Sequence, residues 1–334
     1  MRKFLSKIKS DYLTSKAIVL MYHKIGNPSS DPWNLAVSQE NFEAHLKVLR
    51  KSFNVVSTDE LIGQLQNNKI RNKSVVVTFD DGLLNNYELA RPLLEKYQIP
   101  ATFFISDSNI GKSKLFWWDE LEEIILNTKK LPGEFYFNNK DMQIFSLEDE
   151  NILTPELQLK NKNYIAYEPN SKRAELYYHL WEICSPLQAR DQQKMISNIK
   201  QWAGIEIAKD MDVCMTWEQV KNLSQSSLFT IGGHTHSHPS LYDHNYEYQK
   251  QEILSNKELL ENLLGFNIDS FAYPSGRYND TTLKVIEESG YKSAFTTRAG
   301  IVNKNSDITQ INRFQVCDLD KNNFFEEITK WFKK

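Results

Sequence analysis

The chain has 334 residues, of which 40% are hydrophobic and 25% are charged, and its formal net charge is −3. These values are typical of a globular protein, and the lack of a basic stripe in the sequence excludes an electrostatic surface for nucleic acid. Three cysteines without C-x-x-C spacing argue against a disulfide framework and indicate a reducing compartment.

The basic start of the chain, MRKFLSKIKSDYLTSK, precedes the short apolar run AIVLMY. This run is too short for the hydrophobic region of a signal peptide, and no small-residue cleavage site follows it. No segment approaches the roughly 20 apolar residues that span a bilayer. We therefore expect a cytoplasmic protein without a transmembrane segment, whose basic start is solvated rather than bound to a membrane surface.

Eight segments have the composition of buried strands, in the order KAIVLMYHKI, FNVVS, SVVVTFDD, PATFFIS, LFTIGGH, SFAYPSG, KSAFTT and INRFQV. Helical patterns separate many of them; one helix has Ser38 as its predicted N-cap, and another ends before Gly290. Nearly continuous apolar strands that alternate with helices predict an α/β fold, a distorted (β/α) barrel of about seven or eight strands. The alternative is an open doubly wound sheet, but no Gly-rich phosphate loop follows the first strand.

Residues 107–212 interrupt this alternation, because they are too long for a single crossover between strands. They contain several helical patterns around a polar middle section. We predict one domain over residues 1–334, with residues 107–212 forming a largely helical insertion or cap.

Two adjacent carboxylates, Asp80 and Asp81, follow the strand VVVTF, at the end where (β/α) barrels collect their catalytic groups. A second strand is followed by HTHSH, in which His234 and His238 are four residues apart and can share one face of a helical turn. Two imidazoles and one carboxylate suit Zn²⁺ or a similar divalent metal and leave positions open for water and substrate. A cation also offsets the repulsion between the adjacent carboxylates Asp80 and Asp81. His236 lies between the two ligand histidines in sequence, and we expect it to be an ordinary loop histidine.

The segments TFDDG and HTHSH resemble the first two motifs of the polysaccharide deacetylases, the NodB-homology superfamily or carbohydrate esterase family 4. This resemblance covers residues 16–106 and 228–316. It implies that Asp80 is the general base and that the metal ligands are Asp81, His234 and His238. The segment FAYPSGRYND resembles the third motif, which forms a wall of the substrate groove and implies substrate contacts by Tyr273, Pro274 and Gly276.

The chain departs from the family pattern at the arginine that braces the base, because no arginine precedes Pro274. Arg277 and Arg313 remain as candidates. We favour Arg313, since a residue on a strand can point into the barrel mouth, although a surface arginine is the alternative.

The family's general acid is a histidine near the C-terminus, but no histidine follows His244. The strand AIVLMYH instead resembles the permuted subgroup in which an N-terminal MYH strand supplies that histidine. This implies that His23 is the acid, held protonated by a neighbouring carboxylate; a packed core histidine is the alternative.

The segment LFWWDELEEI resembles a motif of relatives found with surface-glycan synthesis genes. Trp117 and Trp118 in this segment either stack on sugar rings or only pack within the protein.

These features predict a metal-dependent hydrolase that removes N-acetyl groups from amino sugars of a polysaccharide or surface-glycan precursor. One alternative is a related hydrolase that removes another acyl group, such as the formyl group of a lipid-linked sugar. Another is a non-catalytic glycan-binding protein of the same fold. The presence of both aspartates and both ligand histidines argues against this last alternative.

Overall fold

The computed structural model describes residues 15–137, 144–205 and 213–333. The predicted solvated leader falls mainly on residues 1–14, which lie outside the described residues, and the cytoplasmic location remains a prediction. Within the described ranges, no helix is both long enough and apolar enough to cross a membrane.

Short strands and helices alternate along most of the chain. The strands are β1 (Ala17–Tyr22), β2 (Lys24–Ile25), β3 (Ala36–Val37), β4 (Asn54–Val55), β5 (Ser74–Phe79), β6 (Ala101–Ile105), β7 (Glu134–Tyr136), β8 (Ile144–Ser146), β9 (Phe229–Gly233), β10 (Ser270–Ala272), β11 (Ser293–Phe295) and β12 (Phe314–Gln315). The α-helices are α1 (Gln39–Ser52), α2 (Thr58–Gln66), α3 (Arg91–Tyr97), α4 (Trp117–Glu122), α5 (Pro155–Lys162), α6 (Lys172–Cys184), α7 (Ala189–Ala203), α8 (Trp217–Ser224), α9 (Tyr246–Leu264), α10 (Asp280–Glu288) and α11 (Lys321–Lys333).

The chain divides into two compact units. Unit 1 comprises Met1–Asn27, Ala36–Lys112 and Cys214–Lys334, and unit 2 comprises Pro28–Leu35 and Ser113–Val213. The predicted insertion begins six residues before the second part of unit 2. The reason is that residues just after β6 bond to unit 1: Ser108 N donates to His236 O at 2.8 Å, and Gly111 N donates to Met215 O at 2.9 Å.

Unit 1 is built on a parallel sheet with the strand order β11-β10-β9-β6-β5-β1-β12, and β4 pairs with the start of β5. The sheet curls until its two edges meet at residues 311–315. Ile311 accepts a hydrogen bond from Thr296 N at 2.8 Å and donates one to Ala294 O at 2.9 Å, while Phe314 pairs with Leu20 of β1. The predicted distorted (β/α) barrel is therefore confirmed, with seven strands around it.

The strands of unit 1 are rich in apolar residues, many of them β-branched or aromatic, and the longest strands are covered on both faces. Every residue of β1 and of β5 is buried. The predicted N-cap is confirmed, since the Ser38 side chain accepts from Asn41 N at the start of α1. Gly290 follows α10 with a φ of 74°, the left-handed conformation that ends a helix and favours glycine.

Unit 2 contains the helices α4 to α7 and an antiparallel hairpin of β7 and β8. Its hydrophobic core includes Leu121, Ile124, Tyr177 and Ile196. Arg173 is fully buried within this unit, and its guanidinium donates to four backbone carbonyl oxygens, those of Ile125, Thr128, Glu150 and Asn151. Because charge-assisted bonds engage all three nitrogens of the guanidinium, unit 2 tolerates a buried charge. Whether unit 2 acts as a cap remains a prediction.

Candidate active site

The carboxyl ends of the barrel strands of unit 1 carry most of the side chains singled out above, whereas Arg313 lies at the amino end of β12. Asp80 and Asp81 follow β5, His23 follows β1, and His234 follows β9. Arg313 immediately precedes β12, which pairs with β1. Parallel strands present their carboxyl ends at one edge of a barrel, so residues far apart in sequence meet there.

Asp81, His234 and His238 form a compact cluster of three donor groups. Asp81 Oδ1 lies 3.5 Å from His234 Nε2 and 3.5 Å from His238 Nε2, and one donor atom from each residue lies within 4.8 Å of the others. Asp81 Oδ1 is buried and has no hydrogen-bond partner among the described residues. An orphaned carboxylate oxygen facing two imidazole nitrogens fits a divalent cation, which would satisfy all three donors.

The local backbone turns these donors toward one another. His234 Nδ1 lies 2.7 Å from the carbonyl oxygen of Ala272, which can only accept, so Nδ1 donates there and Nε2 is the ring nitrogen that faces Asp81. Asp81, Thr235 and His238 have φ values of 77°, 65° and 57°. Non-glycine residues rarely adopt this left-handed conformation, and such strain persists where the surrounding structure enforces it.

Two polar residues of α9 fix the loop that carries these histidines. Asn256 Oδ1 accepts from His234 N at 3.1 Å. Glu252 accepts from the amide and the hydroxyl of Ser237, both at 2.7 Å. Sequence analysis did not single out Glu252 or Asn256, although both are polar residues spaced four apart on the buried face of a helix.

His236 points away from the donor cluster. Its Nδ1 lies 2.7 Å from Asp107 Oδ2, and its side chain is 46% exposed. Asn256 Nδ2 donates to the other oxygen of Asp107 at 2.7 Å, so His236 belongs to the support of the loop.

Asp80 is held by a buried guanidinium. Arg313 Nη1 donates to Asp80 Oδ1 and Nη2 to Oδ2, both at 2.7 Å, and the Arg313 side chain is 0% exposed. Burial raises the pKa of Asp80, but the positive charges around it, first that of Arg313, outweigh burial and hold this pKa below its usual value. The other candidate, Arg277, instead pairs with Asp243 at 3.0 Å.

His23 lies beside Asp80, with 3.8 Å between His23 Nε2 and Asp80 Oδ2. Asn86 Nδ2 donates to the backbone oxygen of His23 at 2.6 Å and fixes this turn. Burial lowers the pKa of His23 more than the carboxylates of Asp80 and Asp81 raise it. The neighbouring carboxylates raise the pKa of His23 as expected, but desolvation outweighs them, so the prediction that a carboxylate holds His23 protonated is wrong.

The loop of the third motif is packed into unit 1. The Tyr273 side chain is buried and its hydroxyl donates to Thr309 O at 2.8 Å, while its amide donates to Phe295 O at 3.0 Å. Tyr273 thus has both donors engaged within the protein. Pro274 is also buried, and Gly276 has a φ of 64°. Substrate contacts by this loop remain a prediction.

Trp117 and Trp118 belong to unit 2. The Trp117 ring packs against the hydrophobic core of that unit, and the Trp118 ring stacks on Phe116 with a centroid separation of 4.5 Å. Their contact with a sugar likewise remains a prediction.

Comparison with known proteins agrees with this barrel and its motifs. The model of the polysaccharide deacetylase family matches residues 67–130 and 179–294, more than half of the chain. The chain belongs to the polysaccharide deacetylase family, as its motifs predicted. Its assignment to the permuted subgroup remains a prediction.

The similar proteins come from several bacteria. YxkH of Bacillus subtilis is 24% identical over 304 residues, which cover 90% of this chain and 72% of YxkH. The poly-β-1,6-N-acetyl-D-glucosamine N-deacetylase of Staphylococcus aureus is 27% identical over 156 residues, only 43% of this chain and 54% of that protein. The solved structure of the Streptococcus pyogenes deacetylase PplD in complex with acetate shares the fold, with a TM-score of 0.60, 21% identity, and coverage of 94% of this chain and 99% of PplD.

Proposed function

We propose that this protein is a metal-dependent hydrolase that removes N-acetyl groups from amino sugars of a polysaccharide or a surface-glycan precursor. The observation that carries this proposal is the donor cluster of Asp81, His234 and His238 beside the braced carboxylate of Asp80. The name of the Staphylococcus aureus relative, a poly-β-1,6-N-acetyl-D-glucosamine N-deacetylase, supports an N-acetylated glycan as the substrate class.

The three donors would hold the cation through a carboxylate oxygen of Asp81 and Nε2 of each histidine. A divalent cation such as Zn²⁺ supplies Lewis acidity to the acyl oxygen and lowers the pKa of water from about 15.7 toward 7. The chain itself contributes the orientation: the carbonyl of Ala272 fixes the His234 ring, and α9 holds the loop through Glu252 and Asn256.

Asp80 is the general base in this proposal. It accepts a proton from the water whose oxygen attacks the amide carbon. Arg313 holds both oxygens of Asp80 and keeps the carboxylate ionised before the reaction. As the carbon–nitrogen bond breaks, protonated His23 donates a proton to the leaving nitrogen. A histidine with a lowered pKa is the stronger acid when it carries that proton, and the products are acetate and a free amino sugar.

Acetate release from β-1,6-linked N-acetylglucosamine oligomers, with and without a chelator, tests the proposal. Asp80→Asn should lower turnover by roughly 10²–10⁴ and retain the cation. Asp81→Asn should lose both the cation and turnover, whereas Asp243→Asn, a matched control in a surface ion pair, should lose neither. Cation content is measured separately by elemental analysis.

Three outcomes would contradict the proposal. Release of formate but not acetate from matched substrates would favour the alternative acyl group. Glycan binding without release of either acid would favour a non-catalytic protein. Full cation occupancy in Asp81→Asn would show that the donor cluster is not the metal site.

A further inference from the structure

A continuous run of aromatic rings crosses unit 2. We define it as the aromatic platform, with adjacent centroids separated by 5.5, 4.5, 6.2 and 5.6 Å along the order Tyr167, Trp33, Trp181, Trp117 and Trp118. The rings come from four separate places in the chain, namely residues 33, 117–118, 167 and 181, so tertiary folding brings them together.

Tyr167 is only partly held by packing in unit 2, where its ring meets those of Trp33 and Tyr178 edge to face, with centroid separations of 5.5 and 5.4 Å. Its side chain is 68% exposed, so burial contributes little to holding it there. Its φ is 73°, a conformation that bulky residues rarely adopt and that glycine adopts without strain. A large exposed ring at a strained position is unfavourable for folding alone, and such strain concentrates where a ligand is bound.

The platform is ordered by contacts within unit 2. The Trp33 indole N–H donates to the buried Tyr177 hydroxyl at 3.0 Å. The turn that presents Tyr167 is closed by Glu168 N donating to Ile165 O at 3.1 Å, and Ala166 N ties it to Pro32 O at 2.6 Å. Rings that are already fixed lose little conformational entropy when a ligand stacks on them.

Acidic residues adjoin these rings in sequence. Glu168 follows Tyr167, Glu182 follows Trp181, and Asp119 follows Trp118. Carboxylates disfavour an anionic ligand such as a phosphate or a nucleic acid, but they accept hydrogen bonds from hydroxyl groups. Rigid, partly exposed rings match a pyranose, which has an apolar face of C–H groups that stacks on an aromatic ring.

We infer that the aromatic platform is a glycan-binding site, on which sugar rings of an N-acetylglucosamine polymer stack against Tyr167 and Trp33. The inference rests on the proposed function for the choice of this polymer. It adds a binding site in unit 2 to the donor cluster of unit 1.

The test measures the dissociation constant of a β-1,6-linked N-acetylglucosamine hexamer by isothermal titration calorimetry. It uses the full chain carrying Asp80→Asn, so that the hexamer is not consumed. Tyr167→Ala and Trp33→Ala should each weaken binding by roughly 10-fold, the loss of one stacked aromatic contact. Tyr136→Ala is the matched control, because Tyr136 is a 61% exposed tyrosine of the same unit that is not part of the platform.

Tyr167→Gly separates binding from folding. Glycine relieves the strain at this φ, so the melting temperature should stay equal or rise while hexamer binding weakens as much as in Tyr167→Ala. A side chain with a purely structural role would show the opposite pattern.

Unchanged binding in both Tyr167 variants, or no hexamer binding by the parent chain, would overturn the inference. So would a dimer, seen by analytical ultracentrifugation, that Tyr167→Ala dissociates without changing hexamer affinity, because a second copy would then cover the platform. Hexamer binding that depends on Tyr167, in a protein that releases no acetate, would support the platform and refute the proposed function. Acetate release with binding that is insensitive to Tyr167 would refute the platform alone.

Discussion

The buried pair of Arg313 and Asp80 predicts a large loss of stability when the arginine is removed. Two hydrogen bonds of 2.7 Å join these side chains, and Arg313 Nε also donates to Thr296 O at 2.8 Å. Arg313→Met fills similar space but leaves the Asp80 carboxylate buried without the positive charge of the guanidinium. Breaking a buried pair in this way costs about 3–5 kcal/mol of unfolding free energy.

Arg277→Met is the matched control for this experiment. Arg277 also pairs with an aspartate, Asp243, at 3.0 Å, but its side chain is 46% exposed. Solvent screens such a pair, so its loss should cost about 0–1 kcal/mol. Both variants are unfolded in urea at pH 7 in the presence of a chelator, so that cation binding does not contribute to the measured stability.

The double variant Arg313→Met, Asp80→Asn identifies the cause of the loss. The neutral amide that Asp80→Asn introduces would need no positive charge beside it. The double variant should therefore lose less unfolding free energy than the sum of the losses in the two single variants. Equal losses for Arg313→Met and Arg277→Met, or strictly additive effects in the double variant, would refute the argument that an uncompensated buried charge dominates.

Three further predictions concern His23, His45 and Gly233. His23→Ala should lower turnover on an amide far more than on a phenyl ester, whose leaving group needs no proton; equal losses on both substrates would exclude a role as the acid. Burial lowers the pKa of His45 to about 4, so its imidazole stays neutral in the folded protein while the unfolded chain takes up a proton near its ordinary pKa of about 6.5. The contribution of neutral His45 to the free energy of unfolding is therefore fully present above about pH 6.5, and it falls by up to about 3 kcal/mol as the pH drops to about 4. Urea unfolding of His45→Gln should not show this decline. Gly233→Ala places a Cβ 2.1 Å from the Tyr291 hydroxyl oxygen. Thermal unfolding should therefore show that the free energy of unfolding falls by about 1–3 kcal/mol. Adding Tyr291→Phe, which removes this hydroxyl, should restore part of that free energy.

The barrel could be predicted from the sequence because its strands are continuous apolar runs whose ends carry recognisable polar motifs. The strand ending at Phe79 and the strand ending at Gly233 are examples, since the groups that follow each of them meet in the structure. Such local patterns fix both the type of an element and the end at which its polar residues emerge.

Other features depend on contacts between distant segments and leave no local pattern. The sequence alone left two arginines as candidates for the contact with Asp80, and the curling of the sheet brings only Arg313 to it. The assignment of residues 28–35 to unit 2 and the meeting of Trp33 with Tyr167 likewise require the folded chain. Burial also decided the direction of the His23 pKa shift, which the motif could not show.

Closure of the barrel by residues 311–315 makes the site a late product of folding. Asp80 and Arg313 are 233 positions apart in the sequence, and such distant contacts form slowly because a long loop must close first. A partly folded chain with β5 and β6 already paired therefore carries its two adjacent carboxylates without the guanidinium. During refolding, the helical circular dichroism signal should return before hydrolytic activity. A chain that stops folding before the barrel closes should therefore not hydrolyse its substrate.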